Sequence, residues 1–400
     1  MHYITKEVAF VKKKVVFRSA AISIVLICFA LFATGFTDRY QGVVKKLSMI
    51  ESVLNEYYVG EVDQYKLQEG IYKGFISGVG DAYTTYYTQK EYDEFKEETS
   101  GMYTGIGINM YLDSQNNSIV VKEVFKDSPA EQAGLLPEDK IVKVAGKNVS
   151  GNDYAYVREM ITAHKEKGVD ISVYRPSKQA NYEFNLKVEN IVYPTVTFRM
   201  LEEGIAYVGL SKFEDLSHDQ FKEALDKCQD KGARGIVFDL RNNRGGLLRI
   251  AKEIVDELIP EGVIVSTKDK NGKSIEYKAD KDYIDTPMVV IINGNSASAS
   301  EVVAGALKDY KRAKLVGEKS FGKGVVQTIV PLTDGSAIKL TTSQYFTPSG
   351  VCIQGIGIEP DVKVSLPAEK LLRMANLKDT EDDQLQTAIK VLKEEIADKA

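Results

Sequence analysis

The chain has 400 residues, of which 44% are hydrophobic and 27% charged, and its formal net charge is -5. A chain of this size and apolar content buries a sizeable core and predicts a globular protein of two or three domains. Lysine and arginine are scattered and form no basic stripe, which argues against a nucleic-acid-binding protein.

One apolar segment stands apart near the N-terminus. Residues 19–36 carry no charge and follow a cationic stretch at residues 12–18. Such a flank keeps the tail before it in the cytoplasm and sends the chain after it across the membrane. We therefore expect a cytoplasmic tail (1–18), a single-pass signal anchor (19–36) and an extracytoplasmic body. Because the run is short and Ala-Thr-Gly at 33–35 suits cleavage, a removed signal peptide and a secreted protein are the alternative.

Helical periodicity follows in the region 40–100. Apolar residues recur at spacings of three and four, which predicts two amphipathic helices. These helices can pack on the body or pair with a second copy in a homodimer. The apolar positions are Leu47, Ile50, Val53, Leu54, Tyr57, Leu67, Ile71 and Phe75.

Residues 101–188 consist of short β-rich runs broken by glycine and asparagine, with one small helix at SPAEQAG. The turn Gly105, Ile106, Gly107 and Ile108, together with SPAEQAG and EDKI, resembles that of a PDZ domain. The resemblance implies that N–H groups of this turn bind the C-terminal carboxylate of a peptide, which adds as an extra strand. Ile106 and Ile108 would suit a pocket for an apolar terminal side chain.

From 204 to 362 buried strands alternate with helices, which predicts an α/β domain with functional loops where parallel strands end. The first such loop, FDLRNNRGGLL, places Gly245 and Gly246 after a strand. Their bare N–H groups can approach an oxyanion. A phosphate cradle is the competing interpretation, but no GxxxxGK[ST] motif follows. Cys228 and Cys352 lack CxxC spacing and clustered histidines, so no metal or other cofactor is implied.

Two further loops carry the candidate chemistry. NGNSASASE precedes a predicted helix and presents a serine at its N-terminus, where the dipole stabilises developing negative charge. The three histidines lie in contexts without a nucleophile motif, which disfavours a Ser-His-Asp triad. Lys323 in GEKSFGKGVVQ is the available base, since burial lowers the pKa of a lysine. Gln327 can orient its amine without adding charge.

Taken together, these loops, the PDZ-like module and GVCIQGIGIEPDV resemble the carboxyl-terminal processing peptidases, PDZ-containing serine proteases of family S41, over about residues 45–365. The resemblance implies a ClpP/crotonase-like α/β core at 189–365, a PDZ domain at 101–188 and substrates with free apolar C-termini. It also assigns roles to individual residues: Ser298 as nucleophile, Lys323 as base, Gln327 as its orienter, and Ala299 with Gly245 or Gly246 as the oxyanion hole.

The chain departs from this family in two places. Relatives often have Ile-Arg-Gly near the end of the PDZ module, where this chain has Ile-Thr-Ala at 161–163. Some relatives add a cell-wall-binding domain, whereas residues 366–400 predict one amphipathic helix that can join a dimer contact.

Three rival functions remain open at this stage. The first is an inactive PDZ scaffold that only binds peptides. The second is a penicillin-recognising enzyme, suggested by the S-x-x-K spacing of residues 320–323, although its glycines resist a helix and S-D-N and K-T-G are absent. The third is a crotonase-type acyl-CoA enzyme, which neither the apolar segment nor the PDZ-like module suits.

Overall fold

The computed structural model describes residues 39–399 apart from 166, 281, 372, 375 and 376. The predicted cytoplasmic tail (1–18) and signal anchor (19–36) lie outside these residues. Among the helices that are described, none combines the length and the apolar character required to cross a bilayer.

The secondary structure alternates between helices and short strands along the described chain. The helices are α1 (39–57), α2 (Gln64–Ser77), α3 (Gln89–Thr99), α4 (Pro129–Ala133), α5 (Tyr154–Ala163), α6 (Ser217–Asp230), α7 (Leu248–Asp256), α8 (Ala299–Asp309), α9 (Ala368–Leu371) and α10 (Asp383–Lys399). The strands are β1 (Thr85–Tyr87), β2 (Met102–Gly105), β3 (Ile108–Asp113), β4 (Ser118–Val124), β5 (Lys140–Val144), β6 (Lys147–Asn148), β7 (Val169–Arg175), β8 (Ala180–Leu186), β9 (Glu189–Val192), β10 (Val196–Met200), β11 (Ile205–Leu210), β12 (Gly235–Asp239), β13 (Gly262–Asp269), β14 (Ser274–Ala279), β15 (Met288–Ile292), β16 (Lys314–Gly317), β17 (Val325–Pro331), β18 (Ala337–Phe346) and β19 (Val362–Lys363).

The chain divides into two units, residues 1–75 and 76–400. In the described part of the first unit, α1 and most of α2 agree with the predicted amphipathic helices. Their apolar side chains are nevertheless exposed: Val53 is 57% and Tyr57 73% accessible. The periodicity therefore produces the helices, but among the described residues it does not give them a buried face.

In the second unit, the β-rich module is organised around the sheet β3-β4-β5-β7-β8, with β2 and β9 forming a separate pair. The predicted small helix is α4, which begins after the Ser128 cap and ends at Gly134. Gly134 has φ of 85°, a left-handed conformation that glycine adopts without steric cost. The apolar faces of the strands meet α5 in one core, which includes Ile119, Val121, Ile141, Val144, Val157 and Ile171.

The α/β core is a six-stranded sheet in the order β10-β11-β12-β15-β16-β19. All neighbours from β11 to β19 are parallel, and β10 is an antiparallel edge. Because side chains alternate across a strand, one face packs on α6, α7 and α8 and the other on α10. The predicted α/β core with an inserted PDZ domain is thus confirmed.

A second, antiparallel sheet was not predicted from the sequence. Its order is β1-β18-β13-β14, with β17 paired to β18. The C-terminal region also differs from the expected single helix over 366–400, because it contains α9, a 3-10 turn at Asp379–Glu381 and α10. The apolar face of α10, with Leu385, Ala388 and Leu392, is buried against the parallel sheet.

Candidate active site

A sharp turn between β15 and α8 presents Ser298. The serine directly precedes the first residue of α8 and has φ of 57° and ψ of -114°. A non-glycine residue in such a sparsely populated conformation costs on the order of 1–3 kcal/mol, so the surrounding contacts must enforce it. Tyr345, which is buried, donates its hydroxyl to the Ser298 carbonyl at 3.0 Å. A strand-turn-helix geometry of this kind exposes a nucleophile at the helix N-terminus.

The three serines of the turn have different environments. Ser296 is fully buried, where it donates to the Leu240 carbonyl at 2.8 Å. Ser300 is also fully buried and donates to the Asn243 carbonyl at 2.8 Å. Ser298 is partly exposed. The outer two serines therefore tie this turn to the loop after β12, and the middle serine is the one open to a substrate.

Glu301 joins the serine turn to the lysine loop, and sequence reasoning missed it. Its fully buried carboxylate accepts the backbone N–H groups of Ser298 at 2.8 Å and Lys323 at 2.9 Å. It also accepts the N–H of Gly322 at 2.7 Å and the hydroxyl of Ser320 at 2.5 Å. The S-x-x-E spacing from Ser298 is a capping-box signature that could have drawn attention to it. One carboxylate thus fixes the backbone of both predicted catalytic residues.

Lys323 lies between two glycines that permit close backbone packing. A Cβ at Gly322 would fall 2.9 Å from Gly357 N, and one at Gly324 would fall 2.5 Å from Gln354 N. The Lys323 side chain is partly buried. Burial lowers its pKa below the ordinary lysine value, and the positive charge of Lys339 lowers it further, against the opposing effects of Asp81 and Glu301. The amine therefore loses its proton more readily than an exposed lysine.

Gln327 lies on β17, opposite Thr341 of β18. Its amide donates to the Val325 carbonyl at 3.5 Å and the Thr341 hydroxyl at 3.4 Å, both long contacts. Within the described residues no hydrogen bond links the Lys323 amine to Ser298 or to Gln327. The structure brings the three residues to one region through their backbones, but it does not join their side chains.

Of the two predicted oxyanion glycines, Gly245 lies against the serine turn and Gly246 lies against Phe213. Gly245 has φ of 100°, and a Cβ there would fall 2.9 Å from Ser298 Cβ and 3.0 Å from Ala299 N. Its N–H is occupied, since it donates to the Asn243 side chain at 2.9 Å. Gly246 has φ of 149°, and a Cβ there would fall 2.2 Å from the Phe213 carbonyl oxygen. Only glycine fits at either position, and this backbone can approach a ligand closely.

The loop after β12 is held by residues that sequence reasoning did not single out. Asn243 is fully buried and donates to the Leu210 carbonyl at 2.9 Å, while its own carbonyl accepts Ala297 N–H. Before the loop, Arg241 contacts Asp239 at 2.6 Å and Asp382 at 2.8 Å, and all three side chains are buried. This ion pair network anchors the strand end to the C-terminal segment.

The predicted peptide-binding turn joins β2 to β3. Gly107 has φ of 86°, and a Cβ there would fall 2.1 Å from Ser128 Cβ. The Ile106 side chain is only 2% exposed and packs in the core of the module, whereas Ile108 is partly buried. In the described chain β3 pairs with β4 alone, so it is the edge strand of its sheet. An open edge permits strand addition.

Comparisons with known proteins agree with this architecture. A model of peptidase family S41 matches residues 204–364, and a PDZ domain model matches residues 120–175. A probable CtpA-like serine protease of Staphylococcus aureus (strain COL) is 34% identical over 345 residues, which is 85% of this chain and 68% of that protein. Its Staphylococcus haemolyticus (strain JCSC1435) counterpart is 34% identical over 338 residues, covering 84% and 67%. A solved S41 protease structure from Bacteroides fragilis is similar in fold, with 16% identity, a TM-score of 0.54, and coverage of 86% and 97%.

Proposed function

Because the chain belongs to peptidase family S41 and is a serine protease with a PDZ domain, we propose that it cleaves protein substrates near their C-termini with a Ser298-Lys323 dyad. The observation that carries this proposal is the Glu301 carboxylate, which binds the backbone N–H groups of both residues within 2.9 Å. No comparable feature favours Ser296 or Ser300, whose hydroxyls are used in buried hydrogen bonds.

In the proposed reaction the neutral Lys323 amine takes the Ser298 hydroxyl proton as the oxygen attacks the scissile carbonyl. Ala299 N–H at the start of α8 stabilises the oxyanion together with the N–H of Gly246, because the Gly245 N–H already donates to the Asn243 side chain. The protonated lysine then gives its proton to the leaving amine and an acyl-enzyme forms. Water, deprotonated by the lysine, releases the new C-terminus. Gln327 orients the amine once the side chains come together.

The pH dependence should reveal the lysine base. The protonated amine is inactive, so kcat/KM rises with pH through the folded-state pKa of Lys323. Because burial and Lys339 lower this pKa, the rise ends below the range of an exposed lysine, and activity persists into mildly alkaline solution. Initial rates measured across the pH range test this. A plateau that begins below about pH 6 would contradict a lysine base. Lys339→Met supplies a matched comparison, because removing that charge should move the rise to higher pH.

We further propose that the PDZ module binds the substrate's terminal carboxylate at the turn formed by residues 105–108, and so tethers the substrate or gates the active site. Amidating that carboxylate removes a charge-assisted hydrogen-bond acceptor and should weaken binding by about 1.5–3 kcal/mol, roughly a 10- to 150-fold loss in kcat/KM at low substrate concentration. Mass spectrometry of paired free-acid and amidated peptides, cleaved by the full chain, measures this. Cleavage of both forms at equal rates would remove carboxylate capture from the proposal.

We retain three proposals that concern the whole protein. The predicted segment 19–36 anchors the chain in the membrane, or is removed as a signal peptide, and places the protease outside the cytoplasm. The exposed apolar side chains of α1 and α2 suit a contact with a second copy. The domain boundaries proposed from the sequence are 40–100, 101–188, 189–365 and 366–400.

A further inference from the structure

A segment that precedes the PDZ module lies against the lysine loop of the protease core. Its strand β1 pairs antiparallel with β18. Strand β18 also pairs with β17, the strand that carries Gln327. Just before β1, Asp81 accepts the Thr84 hydroxyl at 2.5 Å, and Thr84 in turn accepts Thr341 N–H at 3.2 Å. These bonds fix the segment to the sheet, so residues 81–87 hold a defined position beside Lys323.

Tyr83 lies within this segment, and its ring faces the Lys323 amine. The Nζ atom is 4.6 Å from the ring centroid, inside the distance at which a cation is attracted to the negative face of an aromatic ring. In the described part of the chain this contact takes the place of a hydrogen bond between the amine and Ser298. Because the cation–π attraction acts on the positive charge, the ring binds protonated Lys323 more strongly than the neutral amine.

The remaining charged groups around Lys323 come from three elements. Lys339 of β18 repels its charge, while Asp81 before β1 and Glu301 of α8 attract it. Glu301 is committed to four hydrogen bonds with the two loops, and Asp81 to the turn at Thr84. Tyr83 differs from these three charged residues because the face of its ring contacts the ammonium group without a hydrogen bond.

We propose that Tyr83 is a positioning residue whose ring binds the protonated Lys323 amine, and that the amine must leave this ring to reach Ser298. The proposal rests on the proposed role of Lys323 as base. It adds a residue outside the serine and lysine loops to the machinery that sets when the base is available. Since the ring favours the charged amine, it delays the appearance of the active, neutral form as pH rises.

The test compares Tyr83→Leu with Tyr83→Phe in the full chain. Leucine keeps an apolar side chain beside the amine but lacks the aromatic face. The acid limb of the pH profile of kcat/KM should therefore shift to lower pH by about 0.5–1 pH unit. Below the midpoint this corresponds to a 3- to 10-fold gain in kcat/KM. Phenylalanine keeps the face and should leave the limb in place. Loss of activity at every pH without a shift of the acid limb would overturn the proposal, because it would indicate that Tyr83 only supports the local structure.

A second measurement separates this proposal from the proposed function. The ε-carbon resonance of Lys323 in chain labelled with 13C-lysine, assigned by its absence in Lys323→Arg, reports the protonation of the amine without catalysis. A lower midpoint in Tyr83→Leu supports the Tyr83 contact, and an unchanged midpoint refutes it even if Lys323 is the base. A shift in the resonance without a shift in the activity profile refutes the lysine base instead. Trifluorinated phenylalanine at position 83, which keeps the shape of the ring and weakens its negative face, should lower the midpoint too if leucine fails to fold.

Discussion

Ser298→Ala is expected to reduce kcat/KM by about four to six orders of magnitude, because removing the nucleophile of a covalent mechanism leaves only the background reaction of the oxyanion site and substrate binding. The fold should persist. The partly exposed hydroxymethyl side chain becomes a methyl group, and the backbone contacts of the turn to Glu301 and Tyr345 do not involve the Ser298 side chain. Peptide cleavage followed by mass spectrometry, with thermal unfolding measured in parallel, checks both expectations.

Ser300→Ala is the matched control for this substitution. The same atom is removed two residues away, but here it leaves the Asn243 carbonyl without its hydroxyl donor. Losing a buried hydrogen bond costs on the order of 1–3 kcal/mol of unfolding free energy. We therefore expect a less stable protein that still cleaves peptides when folded. An inactive Ser300→Ala protein together with an active Ser298→Ala protein would reverse the assignment of the nucleophile.

Lys323→Ala should be nearly as inactive as Ser298→Ala, since a hydroxyl without a base is a poor nucleophile at neutral pH. The two residues act as a unit, so the double substitution should lose little more than either single one. The lysine backbone N–H to Glu301 remains in the variant, which favours retention of the loop. Kinetics of the two single variants and the double variant form the cycle that measures this coupling.

Lys319→Ala is a suitable comparison for the lysine substitution. Lys319 lies four residues earlier, and its amine pairs with Glu359 at 3.1 Å on the exposed surface. An exposed ion pair contributes about 0–1 kcal/mol, so activity and stability should be almost unchanged.

Additive losses in the Ser298-Lys323 cycle, or full activity of Lys323→Ala, would show that another group acts as the base.

Much of the fold is encoded in local patterns. The alternation of apolar runs and helical periods after residue 204 predicted the strands and helices of the parallel core, because burial on both faces of a sheet imposes continuous apolar strands. SPAEQAG predicted α4 for a local reason as well, since a serine cap and a left-handed glycine define its two ends. In the antiparallel sheet, β13-β14 and β17-β18 are local hairpins, but the pairings that join them into one sheet, β1 with β18 and β13 with β18, span long separations, so the sheet escaped prediction.

The residues of the candidate site likewise fall into two groups: those identifiable from local sequence and those whose roles depend on distant contacts. The serine turn, Lys323 and the glycines after β12 were identifiable from local sequence, because small residues around reactive side chains mark loops where backbone approaches closely. Within the turn, the resemblance to the carboxyl-terminal processing peptidases selected Ser298. Glu301, Asn243 and Tyr83 were not identified, since their roles depend on partners distant along the chain: Lys323 for Glu301 and for Tyr83, and Leu210 for Asn243. Sequence by itself determined which residue types the loops supply. Tertiary structure alone decided which serine is open, which carboxylate joins the loops and where the lysine amine lies, because these depend on contacts that form only when the two sheets and α8 pack together.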